Sequence, residues 1–145
     1  NQYGEPCSFP FKIESECALS PNYIFGVSID VLIRKVLTFI NNLHANNITI
    51  KESPNVKLMF EVHIENEDYT LLNLLQSCIY NNTIRKDPKT VIDYIGYFQP
   101  HPLDPVMILK LKFTKACNVA DFLADQTACI VDVLNDMKKA WTAAI

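Results

Sequence analysis

Apolar residues recur along this chain with two distinct periods, and the places where one gives way to the other mark out its elements. Phe9, Phe11 and Ile13 alternate with Ser8, Lys12 and Glu14, the period of a half-buried strand over 8–14. Ser20-Pro21 then reads as a helix start with proline in the first turn. Behind it Phe25, Ile29, Leu32, Val36, Phe39 and Leu43 recur at spacings of 4, 3, 4, 3 and 4, an apolar seam suited either to a partner helix or to one common core. His44-Ala45-Asn46-Asn47 stops that pattern with residues that favour helix ends.

From Ile48 the elements shorten. Ile48–Ile50 is a short strand, Ser53-Pro54-Asn55 a turn, and 56–64 a strand with Val56, Leu58, Phe60, Val62 and Ile64 on one side. Lys57, Glu61 and His63 face the other way, with His63 expected in solvent. Acidic residues Glu65, Glu67 and Asp68 lead into a helix over 71–79, where Thr70 is positioned to accept bonds from the exposed backbone N–H groups. An exposed loop over 81–89 comes next, then a strand over 91–99, a connection stiffened by Pro100, Pro102 and Pro105, and a strand over 106–113. Helical spacing returns at Val119, Phe122, Ile130, Val133, Leu134, Met137 and Trp141, giving a long final helix over 118–144. Strand, strand, helix, strand, strand, helix is an α+β fold, an antiparallel sheet with helices packed on one face. The strand and helix of the first 46 residues cannot bury themselves and must lean on the rest of the chain.

Composition narrows the function more than the fold. With 145 residues, 49% of them hydrophobic and 20% charged, the chain suits one globular core. A net charge of −3 disfavours a nucleic-acid binder, which needs clustered cations to neutralise phosphates. Lys110, Lys112 and Lys115 read as a solvated edge, with no exposed aromatic platform expected beside them. No apolar run is long enough to span a bilayer. The five cysteines, Cys7, Cys17, Cys78, Cys117 and Cys129, form no C-x-x-C pair, so buried thiols are expected rather than a zinc site. Sequons at Asn47 and Asn81 would matter only in a secreted protein, and no signal peptide is visible. Adjacent Glu67 and Asp68 lack a companion nucleophile, which argues against catalysis. The opening Asn-Gln-Tyr-Gly-Glu-Pro reads as a start in mid-chain.

Two motifs are specific. Glu67-Asp68-Tyr69-Thr70-Leu71-Leu72-Asn73-Leu74-Leu75 and Ile95-Gly96-Tyr97-Phe98-Gln99-Pro100-His101-Pro102-Leu103, followed by Ile108-Leu109-Lys110-Leu111, resemble the smaller α-like subunit of multisubunit RNA polymerases. That is the archaeal L type and its nuclear counterparts, and the resemblance covers 48–145. Tyr69, Leu72 and Gln76 stand where the family commonly has His, Gly and Arg, and the last two departures weaken the carry-over of that face's contacts with large subunits. The first 46 residues, with Ser8–Ser15 and Ala18-Leu19-Ser20-Pro21, resemble the end of the larger, archaeal D-type partner. The tandem is similar to the fused α-like subunit of a large cytoplasmic DNA virus of the asfarvirus type.

The resemblance implies two domains, 1–46 and 47–145, and a non-catalytic subunit that holds the two largest polymerase subunits together and needs no cofactor or metal. Glu67, Asp68, Thr70, Asn73, Gly96, Tyr97, Pro100, His101 and Pro102 would form its docking motif. The helix-packing interface would take Phe25, Ile29, Leu32, Val36, Phe39 and Leu43 with Ile130, Val133, Leu134, Met137 and Trp141. Other partners in view are small zinc-bearing subunits and a second copy of the isolated chain, but neither nucleic acid directly nor a membrane. The expected location is host cytoplasm and virion for a viral chain, or the nucleus for a cellular one. The alternative is a stand-alone regulatory or ligand-binding α+β domain.

Overall fold

The computed structural model describes residue 4 and residues 6–87 and 90–144. The first few positions of the opening and part of the 81–89 loop therefore lie outside the described residues. Helix α1 spans Pro21–His44, strands β1 Thr49–Glu52 and β2 Met59–Glu65, helix α2 Tyr69–Asn82, strands β3 Ile92–Phe98 and β4 Val106–Phe113, and helix α3 Val119–Ala144. The strands form one antiparallel sheet in the order β1-β2-β4-β3.

Alternation decides which face of that sheet is covered. Val62 lies opposite Leu109 and Ile64 opposite Met107, and with Leu111 they point into the core against the helices. In β3 a bulge at Asp93 resets the register, so that Ile92 and Ile95 still face inward while Tyr94, Gly96 and Phe98 face out. Phe113 joins sheet to helix through edge-on contacts with Phe60 and Phe122 at 5.8 and 5.2 Å.

Helix α1 starts where Ser20 accepts the Tyr23 N–H at 3.2 Å with Pro21 in the first turn. It ends at His44, and beyond it Asn46, with a left-handed φ of 56°, reverses the chain while Asn47 N–H closes on the Asn42 carbonyl. Its principal neighbour is α3, with α2 beside it. Ile29, Val36, Phe39 and Leu43 are buried in the same cluster as α3 residues Leu123, Ile130 and Leu134 and the inner face of the sheet. Both segments of the chain therefore share a single core.

Four expectations are corrected. Residues 8–14 form no strand: neither sheet edge pairs with them, and Phe9 and Phe11 are left 64% and 89% exposed. Alternation supplies a face but not a partner. The second strand begins at Met59 rather than Val56, because Leu58 adopts a left-handed φ of 61° that breaks the extended backbone. Cys7, Cys17, Cys117 and Cys129 are exposed, and only Cys78 is half-buried, its thiol pushed up by that burial. Thr83, expected in an exposed loop, is buried and donates its hydroxyl to the Ile79 carbonyl at 2.6 Å.

A candidate docking rim and a pinned helix

The two sequence motifs meet at one end of the sheet. Asn66 N–H donates to the Pro105 carbonyl at 2.7 Å, tying the lead into α2 to the β3–β4 connection. Tyr69 packs edge-on against Tyr97 with ring centroids 6.0 Å apart. Tyr69, Thr70 and Asn73 of α2 and Pro100, His101, Pro102 and Leu103 of the β3–β4 connection are exposed. Asn73 is occupied locally, accepting from Ser77 at 3.2 Å.

The acidic pair bonds within the chain. Glu67 accepts from Lys35 of α1 at 2.5 Å, and Asp68 lies 3.7 Å from the same ammonium. With side chains only 29% and 16% exposed, Lys35 and Glu67 form a largely buried link across 32 residues of sequence. The Glu67 bond, opposed by desolvation, raises the Lys35 pKa. Asp68, not Thr70, caps α2: its carboxylate accepts the Thr70 N–H at 2.9 Å and the Leu71 N–H at 3.4 Å. Desolvation works against ionisation of Asp68, but those N–H groups and the Lys35 charge outweigh it and hold the carboxyl below its usual range. The sequence carried a signal for the cap: Asp68 precedes the first helical residue, where a short carboxylate reaches two N–H groups.

Nearer the start of α1, Lys138 donates to Asp30 at 2.6 Å and the Trp141 indole to the Asn22 carbonyl at 3.2 Å. The Trp141 and Phe25 ring centroids are 4.3 Å apart. The helices thus run antiparallel. Val133 and Met137, expected in their seam, are 59% and 46% exposed because the inward row of α3 runs through Leu123, Thr127, Ile130 and Leu134. Leu72 is fully buried, so its departure from the family pattern falls in the core and not on the rim.

The outer sheet face holds further surprises. Tyr94 lies back over Gly96, where an added Cβ would stand 2.5 Å from the phenol oxygen, so the glycine leaves room for the ring. His63 is not in solvent: its side chain is 23% exposed, with Nε2 enclosed and 3.9 Å from Glu61. Exposed aromatics do accompany the lysines, since Tyr94 and Phe98 share a face with Lys110 and Lys112. Each of those ammonium groups is paired, Lys110 with Glu61 at 2.9 Å and Lys112 with Asp93 at 2.7 Å, which leaves little net charge for phosphates. Among the described residues no cluster of three His, Cys, Asp or Glu side chains is placed to hold a metal ion, and no helix is long and apolar enough to cross a membrane.

Comparison with known proteins agrees with this geometry. Residues 59–140, from β2 through most of α3, match the RNA polymerase Rpb3/Rpb11 dimerisation domain. A probable DNA-directed RNA polymerase II subunit RPB11 of Caenorhabditis briggsae is 34% identical over 74 residues, 51% of this chain and 52% of that protein. The DNA-directed RNA polymerase II subunit RPB11 of Schizosaccharomyces pombe is 29% identical over 87 residues, 60% of this chain and 63% of that protein. The chain therefore spans between about half and two thirds of the length of these relatives.

Proposed function

Because the chain belongs to the RNA polymerase Rpb3/Rpb11 dimerisation-domain family, we propose that it is a non-catalytic assembly subunit of a DNA-directed RNA polymerase. In this reading it joins the two large catalytic subunits through the rim formed by Tyr69, Thr70, Asn73 and the 99–105 loop. One observation carries the finer version: α1, outside the matched residues, covers the apolar face of α3 within this same chain. A dimerisation module must bury that face against another element, and here the other element is built in. Residues 1–46 then represent the end of a larger α-like subunit and 47–145 the smaller one, fused in tandem. A fusion of this kind suits a large cytoplasmic DNA virus, with the protein at work in host cytoplasm and virion. A cellular chain of the same design would work in the nucleus, and small zinc-bearing subunits are further candidate partners.

The test is reconstitution. The chain, tagged and co-expressed with the two largest subunits of its polymerase, should recover both on affinity purification. Recovery of neither would overturn the proposal.

A further inference from the structure

Helices joined only by an apolar seam could exchange partners. The buried row of α1 is Ile29, Val36, Phe39 and Leu43, and that of α3 includes Leu123, Ile130 and Leu134. Rows of this kind recur every three or four residues on any amphipathic helix, so they do not tell one helix from another. The charges beside the seam do. Asp30 of α1 meets Lys138 of α3 at 2.6 Å, and Lys35, farther along α1, meets Glu67 in the lead to α2 at 2.5 Å. One helix therefore offers an acid to one neighbour and, one turn and a half later, a base to another. Neither α2 nor α3 carries that pattern: α2 has no charged residue, and α3 has no acid four or five residues from a lysine in either direction. A second copy's α2 or α3 laid on this face would leave Glu67 or Lys138 without its opposite charge. A second copy's α1 would match, but the chain delivers its own first. The N–H groups of Ala45, Asn46 and Asn47 are tied back to the carbonyls of Asn41, Leu43 and Asn42, and Asn46 adopts a left-handed φ, so the turn from His44 into Thr49 is short and closed. So short a tether holds α1 at high effective concentration against its own α3.

We propose that α1 is a charge-keyed plug. It closes the apolar face of α3 within its own chain and bars a second copy from that face, and Asp30 and Lys35 are the residues that decide which helix is admitted. The proposal rests on the reading of α1 as the built-in cover of a dimerisation module and deepens it: the module is closed to further α-like partners, and the closure is selective.

The probe is a fluorescein-labelled synthetic peptide of residues 18–46, and its anisotropy is read on addition of the full chain. Wild type, already plugged, should take up little peptide. Asp30→Lys/Lys35→Glu, which miskeys the resident helix but leaves the face unchanged, should bind the peptide at least about tenfold more tightly. Adding Glu67→Lys and Lys138→Glu rematches face and helix, and should return binding to within about threefold of wild type. This four-site variant also separates miskeying from misfolding, because it should regain most of the melting temperature that the two-site variant loses. Equal uptake by wild type and the two-site variant would overturn the plug. So would a four-site variant that takes up the peptide as readily as the two-site one, or melts no higher. No large subunit enters the measurement, so failed recovery in the reconstitution above would bring down the assembly reading without touching the plug.

Discussion

Removing the charge of Lys35 while keeping its aliphatic stem, as in Lys35→Met, should destabilise the protein by about 2 to 3 kcal/mol, because it strands a largely covered carboxylate. Glu67 is 16% exposed, lies 2.5 Å from the Lys35 ammonium, and has the Asp68 carboxylate beside it. At an effective dielectric of about 20 the attraction at such range is of the order of 4 kcal/mol or more. Desolvating both ions and freezing a lysine side chain offset most of that, leaving a net coupling of about 1 to 2 kcal/mol. Glu67→Gln keeps an acceptor for the ammonium and should cost less, about 1 kcal/mol. The double variant Lys35→Met/Glu67→Gln should therefore be less destabilised than the sum of the singles by about 1 to 2 kcal/mol. Urea denaturation of the four proteins closes the cycle, provided the slopes agree. A coupling below about 0.3 kcal/mol would refute the view that this pair pins α1 to α2, and would reduce it to an ordinary surface contact.

Trp141→Ala should cost about 2 kcal/mol in thermal unfolding, below the loss for a fully buried ring, since the indole is only half-buried between Phe25 and the Asn22 carbonyl; an unchanged melting temperature would rule out that contact as a clamp. Asp68 has a folded pKa below its unfolded value, so its contribution is present above about pH 3.9 and lost as pH falls through the folded value. The gap in melting temperature between wild type and Asp68→Asn should accordingly be open at neutral pH and close in strong acid, and a gap independent of pH would contradict the assignment. Gly96→Ala should swing the Tyr94 ring outward at a cost below about 1 kcal/mol, and Tyr94→Ala should remove that cost, since only the far end of a mobile side chain is in the way; equal costs in both backgrounds would show that the backbone is strained instead.

Whatever depends on local period could be read from the sequence. The α1 stripe from Phe25 to Leu43, the Ser20 cap, the order of strands and helices after Ile48 and the long α3 all rest on near-neighbour spacing, and each is in place. Features that depend on tertiary pairing or on a single dihedral angle could not be read. The alternation of Phe9, Phe11 and Ile13 is real, but a strand exists only when another strand accepts its bonds. Leu58 delays the start of the second strand by three residues through one left-handed φ that leucine rarely adopts. Val133 and Met137 fit a helical stripe as well as Leu134 does; which of two adjacent rows faces inward is decided by where α1 lies. The Lys35–Glu67 contact spans 32 residues and leaves no mark on either side's local pattern.

That contact gives the acidic motif a role inside the chain. An apolar seam with a repeating 4-3 pattern is nearly self-similar on moving along the helix by a turn, so burial alone would let α1 slide along α3 by about 5.4 Å at modest cost. Polar contacts are not self-similar. Asp30 with Lys138 and Trp141 with Asn22 near one end of α1, and Lys35 with Glu67 farther along it, cannot all be satisfied in a shifted register. Together these three contacts, of which only Lys35–Glu67 is a largely buried ion pair, select one alignment, a role in which buried ion pairs are attested. Glu67 thereby holds α1 and Asp68 caps α2, with the Asp68 side chain still 59% exposed. Tyr69, Thr70 and Asn73 of α2 and Pro100, His101, Pro102 and Leu103 of the β3–β4 connection are left exposed, and the proposed recognition of the large subunits would draw on them.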